Sequence, residues 1–424
     1  MQFLSMTKQS LLLGLLSLSA ASTVAAKPPP YYVEGNESAA SPNVQPPATT
    51  PSVALVGGGW DVAEAFRWMI SQAGMTSSTK GRFLVIRATG TNAYNPYIYS
   101  DLGTKDPTSP HENVGGKNLG VASAATMVVS SRAAADDPFT VDKIRNAHAI
   151  FIAGGNQADY QTHWAGSNMM RELEAAIRRG VPVGGTSAGA AILGEYAFVA
   201  LGGTVNSPDV LLDPFDRDAT INPLNTAFKK APNSTPIVPI TSLENMIVDQ
   251  HVNTRDRLGR LLSFMARTES GKCAGGIETP STVIGVGLSE ETALLVSTSA
   301  LGNVTAQMAV NPYDKTTAAA GYTKLYSAYF MKYKDTPDIC VAGKPLEVVR
   351  SPVEMYRMSA PETKTSPYPA VPKYSFITDA RFKLSLAEWG KQTNNSSDGS
   401  TLTGPFSLGA SNGAVVRPPN LPEY

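Results

Sequence analysis

An α/β architecture, with a mostly parallel sheet and helices packed on both faces, is what this sequence predicts, and three observations predict it. Short apolar runs alternate with helical patterns from residue 52 to beyond residue 300, the rhythm of parallel strands joined by crossover helices. Some runs are continuously apolar, as at Ala149 to Ala153, which suits strands covered on two faces. The 424 residues, 42% hydrophobic and 17% charged, supply enough apolar side chain for a sizeable core.

The chain opens with Lys8, an apolar run from Leu11 to about Ala20, and small residues ending in Val24-Ala25-Ala26. This pattern predicts a secretory signal peptide over residues 1–26, cleaved after Ala26. The run is short for a bilayer and no later stretch does better, so the mature protein is expected to be soluble and exported, with no stable membrane anchor. Residues 27–51 are rich in Pro and Ser and lack periodicity, which predicts an irregular leader.

The α/β domain is expected over residues 52–344. In order it reads SVALV then DVAEAFRWMISQAG, RFLVIRAT, TMVVSS then FTVDKIRNA, AIFIAGG then MMRELEAAIRRG, and VPVGGTS then AGAAILGEY. Residues 202–242, rich in Pro and Asn, predict an insertion or lid outside the sheet. A helical HVNTRDRLGRLLSFMAR follows, then strand-like TVIGVGL, TALLVST and VTAQMAV. Residues 345–424 carry Pro, Ser, Tyr and Asn with little periodicity and are expected to form an irregular, partly ordered, appended C-terminal extension of unknown role. Ligands of such sheets bind beyond the carboxyl ends of the strands, and the chemistry is sought there.

Lys plus Arg and Asp plus Glu both total 35, so no global field favours nucleic acid or an anionic membrane. Four His, two Cys, and no HExxH or CxxC argue against a metal centre built on those ligands. In an exported chain Cys273 and Cys340 are expected to pair, closing a loop worth about 4 kcal/mol in the chain-entropy account.

The strongest local signal is Gly185-Thr186-Ser187-Ala188-Gly189 between a strand and a small-residue helix, a G-x-S-x-G nucleophile elbow in its required context. Flanking glycines permit the sharp turn, the helix N-terminus favours negative charge near the Ser187 hydroxyl, and the Ala188 N–H is a ready oxyanion donor. The competing interpretation is a glycine-rich turn with a serine helix cap. A serine nucleophile needs a base, and His251 is the one His downstream of it. The base needs an orienting carboxylate. Asp249, two residues from His251, is too near a neighbour to align well with the ring; Glu290 and Glu291, at the end of the strand Val283 to Leu288, are the better candidates, and the residues alone leave the choice between those two open.

Other features gather at the same edge. Gly57-Gly58-Gly59 ends the first strand, where bare amides can complete an oxyanion hole. Gly154-Gly155-Asn156-Gln157 ends the strand before the elbow and presents Gln157. Arg255, Arg257 and Arg260 follow His251, opposite an apolar side of Leu258, Leu261, Leu262 and Met265. That Arg cluster suggests a carboxylate-bearing substrate, against the alternative of a solvated helix face.

These pieces resemble the cyanophycinases, serine peptidases grouped with aspartyl dipeptidases and sharing the flavodoxin-like fold of class I glutamine amidotransferases. The matching blocks are GGG at 57–59, FIAGGNQ at 151–157, GGTSAGA at 184–190, DQHVNTRDRLGRLL at 249–262 and GVGLSEETALLV at 285–296. The resemblance implies Ser187 as nucleophile, His251 as base and Glu290 as orienter. It implies an oxyanion hole of Gly59 and Ala188, and substrate contacts from Gln157, Asp249, Arg255, Arg257 and Arg260. It also implies an exopeptidase that releases β-aspartyl-arginine dipeptides from cyanophycin, an arginyl poly-aspartate, through an acyl-enzyme, with no metal or organic cofactor, no nucleic-acid partner, and room for a homodimer. Two departures stand out, since Trp60 and Ser289 occupy positions where the family often has acidic residues. Rival expectations are a lipase-like esterase, with Asp209 or Asp213 between Ser187 and His251, another exported dipeptidase, and a non-catalytic polymer-binding module.

Overall fold

The computed structural model describes residues 28–46, 52–103, 111, 113–222, 240, 243–269, 273, 282–299, 303–311, 326–360, 376–384, 389, 400–419 and 421. The expected signal peptide lies outside the described residues. So does most of the second half of the expected insertion.

The first half of the chain supplies β1 (Tyr31–Gly35), β2 (Val53–Val56), β3 (Gly81–Arg87), β4 (Val121–Val128), β5 (Ala149–Ile152) and β6 (Val183–Thr186). A small ribbon follows, β7 (Ala197–Phe198) with β8 (Ile221–Asn222). Then come β9 (Met246–Asp249), β10 (Ile284–Leu288), β11 (Thr292–Thr298), β12 (Val304–Val310) and β13 (Ser327–Tyr333). The last are β14 (Val348–Ser359), β15 (Phe376–Lys383), β16 (Thr401–Ser411) and β17 (Ala414–Val416).

These strands make two large sheets. One has nine strands in the order β1-β4-β3-β5-β6-β2-β11-β12-β15, and the other six in the order β17-β16-β14-β13-β10-β9. The run β4-β3-β5-β6-β2 is parallel throughout, so the parallel α/β heart is as expected. Antiparallel strands extend it on both sides, and the second, mainly antiparallel sheet is an addition to the expected architecture.

Helices cover both faces of the parallel heart. On one side Phe66, Met69 and Ile70 of the helix Ala63–Gln72 pack with Phe83, Val85 and Phe151. On the other, Leu173, Ala176 and Ile177 of the helix Asn168–Arg178 join Ile144, Leu84 and Ile150. Full burial of each such large side chain stabilises by about 1.5–3 kcal/mol. A third core lies under the second sheet, where the helix Leu258–Thr268 packs its leucines against Tyr329, Met331, Met355 and Leu408.

Two expectations need correction. The leader is not wholly irregular: β1 pairs antiparallel with β4, from Tyr31 against Met127 to Gly35 against Ser123. The chain beyond 345 is not an irregular appendage, because β14 lies between β13 and β16 and β15 closes the edge of the first sheet. Its strands are hard to see in sequence because they carry Pro352 and Pro405 and few long apolar runs. The alternative of a solvated helix face does not hold for Arg257 and Arg260, which are buried, as is every residue from Leu258 to Thr268; Arg255 is exposed. Cys273 and Cys340 are disulfide-bonded, with their Cα atoms 4.7 Å apart, and tie the end of that helix to the segment before β14.

Candidate active site

Strand register brings the elbow to the expected edge. Val56 of β2 stands beside Thr186 of β6, and Ile152 of β5 beside Gly185, so the loops after β2, β5 and β6 emerge together. Ser187 has φ 50° and ψ −122°, outside the regions open to an unstrained L-residue, and its N–H donates to Val56 O at 3.0 Å. Such strain persists only where surrounding structure holds it. A Cβ on Gly185 would lie 2.4 Å from Gly189 O, and one on Gly189 would lie 2.1 Å from Ile152 O. Both glycines of the motif are thus required by close approach of backbone.

The base and its carboxylate come from the other sheet. Strands β9 and β10 are parallel neighbours, with Asp249 beside Gly287, and they end in the turns that carry His251 and Glu290. The chain crosses from the second sheet to the first between Leu288 and Thr292. Glu290 therefore sits at the seam. Ser187 Oγ is 2.6 Å from His251 Nε2, and His251 Nδ1 is 2.6 Å from Glu290 Oε1. With Nδ1–H donating to the carboxylate, Nε2 is left to accept the serine proton.

The turns are locked by backbone. His251 and Glu291 both have positive φ, 57° and 59°; His251 N–H donates to Gly57 O at 3.0 Å and Glu291 N–H to Gly58 O at 2.8 Å. Gly58 and Gly59 thus pass directly beside the base and the carboxylate. The Ala188 amide is the first of the helix Ala188–Ala191, a position without an intrahelical acceptor.

The three candidate carboxylates are separated by their surroundings. Glu290 faces His251. Glu291 is 1% exposed and receives the Tyr326 hydroxyl at 3.5 Å. Asp249 is 3% exposed and is gripped through both oxygens by Arg260, Nε at 2.7 Å and Nη2 at 2.6 Å. Asp209 and Asp213 hold local backbone at the two ends of the helix Ser207–Leu212, Asp209 accepting from Asn206 N–H and Asp213 from Phe215 N–H just beyond it.

Asp249 and Arg260 are accordingly not open substrate contacts. Arg260 is 1% exposed; besides Asp249 it donates to Val205 O at 3.0 Å and lies over the Phe198 ring at 5.0 Å. Arg257 is also buried, with Nη1 donating to Gln250 O at 3.2 Å. Burial pulls its guanidinium down to about 10, while Asp249 and Glu290 act in the opposite sense, and it stays cationic at neutral pH. Arg255, at the end of the short helix Val252–Arg255, is exposed. Gln157 is half-buried at the start of the helix Gln157–His163, three residues after Gly154, whose Cβ position is 3.3 Å from the Ser187 Cβ.

Several neighbours carry no sequence signal beyond their spacing. Asn253 Oδ1 accepts from Glu290 N–H at 2.9 Å, and Thr254 Oγ1 is 2.9 Å from Glu290 Oε1. Ser207 holds the Asp256 carbonyl and accepts from Arg260 N–H at 3.0 Å. Arg417, from the C-terminal segment, pairs with Asp256 at 2.7 Å. Of the two departures, Ser289 is buried and Trp60 is 69% exposed, directly after Gly59.

Among the described residues no group of three His, Cys, Asp or Glu side chains is placed to hold a metal ion, and no helix is long and apolar enough to cross a membrane.

Residues 121–207 match the family model for peptidase family S51, a stretch that holds Gly154 to Gln157 and Ser187 but neither His251 nor Glu290. Among curated proteins, a cyanophycinase of Synechococcus elongatus is 27% identical over 177 residues, 42% of this chain and 44% of the relative. One from Geminocystis herdmanii is 27% identical over 170 residues, 40% and 48%. The chain thus spans about half the length of the curated relatives it matches. Among solved structures, a peptidase from an acI-B1 Actinobacterium covers 62% of this chain and 90% of its own, with 18% identity and a TM-score of 0.38.

Proposed function

We propose that this chain, cyanophycinase-like and of peptidase family S51, is a secreted serine exopeptidase that hydrolyses the backbone of cyanophycin to β-aspartyl-arginine dipeptides. The observation that carries this reading is the hydrogen-bonded run from Ser187 Oγ through His251 to Glu290 Oε1, 2.6 Å at each step. Ser187 Oγ bonds to the carbonyl carbon of an α-peptide link while its proton passes to His251 Nε2. Glu290 holds the ring and stabilises the imidazolium. The Gly59 and Ala188 amides take the oxyanion. His251 then gives the proton to the leaving amine as the C–N bond breaks, and water, deprotonated by the same ring, releases the acyl group from Ser187.

Substrate recognition rests on Gln157 and Arg255 at the surface and on the buried positive charge of Arg257 beneath them, with Asp249 and Arg260 bracing the loop. The exposed Arg255 offers a fork for a carboxylate. Secretion rests on the pattern of residues 1–26 and on the Cys273 to Cys340 bond, which is at home in an oxidising compartment.

The test incubates the purified mature protein, beside Ser187→Ala, with insoluble cyanophycin and identifies soluble products by mass spectrometry. Clearing to β-aspartyl-arginine by the wild type alone is expected. Turnover by Ser187→Ala at a near wild-type rate would refute the nucleophile. A folded wild type that leaves the polymer intact but cleaves short aspartyl peptides or esters would move the substrate and keep the chemistry.

A further inference from the structure

Two side chains in the turn after His251 reach Glu290, and one of them touches its carboxylate. Thr254 stands three residues after His251 on the helix Val252–Arg255, about one turn further and on the same face. Its Oγ1 is 2.9 Å from Glu290 Oε1 and 3.5 Å from His251 O. A threonine hydroxyl has one proton to give. The carboxylate takes it, because a charge-assisted bond at 2.9 Å outweighs a neutral contact at the outer limit of hydrogen bonding.

Glu290 Oε1 is also the atom that faces His251 Nδ1 at 2.6 Å. One oxygen thus accepts from the ring and from the hydroxyl, while the Glu290 N–H is held by Asn253 Oδ1 at 2.9 Å. The Glu290 side chain is 18% exposed, so water competes for its oxygens, and a glutamate carries more than 1 kcal/mol or so of rotamer freedom to be lost. Among its charged neighbours are Arg257, which feels its field, and Glu291, on the same turn.

We propose that Thr254 is a positioning residue, whose hydroxyl fixes Glu290 Oε1 against His251 Nδ1–H so that the ring stays aimed at Ser187. This rests on Ser187, His251 and Glu290 being the working triad. Thr254 does not act on substrate. It removes the carboxylate's alternative of turning to solvent, and small losses of alignment at a catalytic hydrogen bond carry large losses of rate.

The probe is a fluorophosphonate that phosphonylates an activated serine, applied to the full mature protein, so that the readout is independent of the substrate. Thr254→Val keeps the shape at an exposed position and removes the donor. Its maximal labelling rate is expected to fall about ten-fold or more, with the half-saturating probe concentration and the melting temperature unchanged, and Thr254→Ser is expected to restore the rate to within about two-fold. Thr254→Val that labels at the wild-type rate overturns the positioning role alone. So does a loss that Thr254→Ser fails to restore. A wild type no more reactive than Ser187→Ala overturns the triad and this proposal with it.

Discussion

Gly58 is the wall behind His251: a Cβ built at position 58 would stand 2.2 Å from His251 Cε1 and 2.7 Å from Nε2. Gly58 also has φ 96°, a conformation an L side chain rarely adopts. Gly58→Ala must therefore push the ring from Ser187 or shift the loop, and either opens the 2.6 Å contact. The expected outcome is a fall in kcat of about 100-fold or more, with the protein still folded by circular dichroism. A variant that keeps its rate would mean that the loop yields without moving His251.

Asp249 and Arg260 decide between a brace and a subsite. A bidentate ion pair this buried is weak evidence of stability, but removing one partner leaves an uncompensated charge and costs about 3–5 kcal/mol. Arg260→Met and Asp249→Asn are each expected to lower the melting temperature sharply, and the double variant by less than their sum. The measurement is a double-mutant cycle by thermal or denaturant unfolding. Single variants with unchanged stability and a raised KM would return both residues to the substrate.

The contrast between these two sites shows what the sequence makes legible. The strand-turn-helix around Ser187 is written in residues a few positions apart, and both glycines there are required by local approach of backbone. His251 is legible through scarcity, with four His in the chain. Spacing could not distinguish Glu290 from Glu291, because adjacent residues at one strand end differ only in how the turn aims them: Glu290 faces His251, while Glu291, at φ 59°, is buried and receives the Tyr326 hydroxyl. Polar residues after His251 look like a solvated face until the third core is seen to bury that helix. The second sheet was hidden for a related reason: TVIGVGL and TALLVST are adjacent and alike in sequence, yet β10 and β11 belong to different sheets.

The C-terminal segment belongs to the core of the second sheet and reaches the loop after His251. β14 has β13 on one side and β16 on the other, Leu346 N–H donates to Leu211 O at 2.8 Å, and Arg417 grips Asp256 in the loop after His251. Truncation after residue 344 exposes the edge of β13 and the apolar faces of Tyr329, Met331 and Leu261, a template for aggregation. The expected product is insoluble, or soluble without a cooperative unfolding transition. Arg417→Ala in the full chain is the milder test, expected to leave the melting temperature nearly unchanged because the pair is partly exposed.

Asp61 gives the stability curve a pH dependence of known sign. Burial raises its carboxyl to about 6, although the Tyr94 hydroxyl, 3.0 Å away, acts to lower it. An acid raised in the folded state binds more protons folded than unfolded, so its contribution is present below the ordinary carboxylate range and is lost as pH rises through about 6. Asp61→Asn keeps an acceptor for Tyr94 and cannot ionise. Relative to wild type it is therefore expected to be more stable at pH 8 than at pH 4, with the difference developing between about pH 4 and 6. Thermal melts of both proteins across that range measure it, and a difference independent of pH would show that Asp61 ionises in the folded state as it does in the unfolded one.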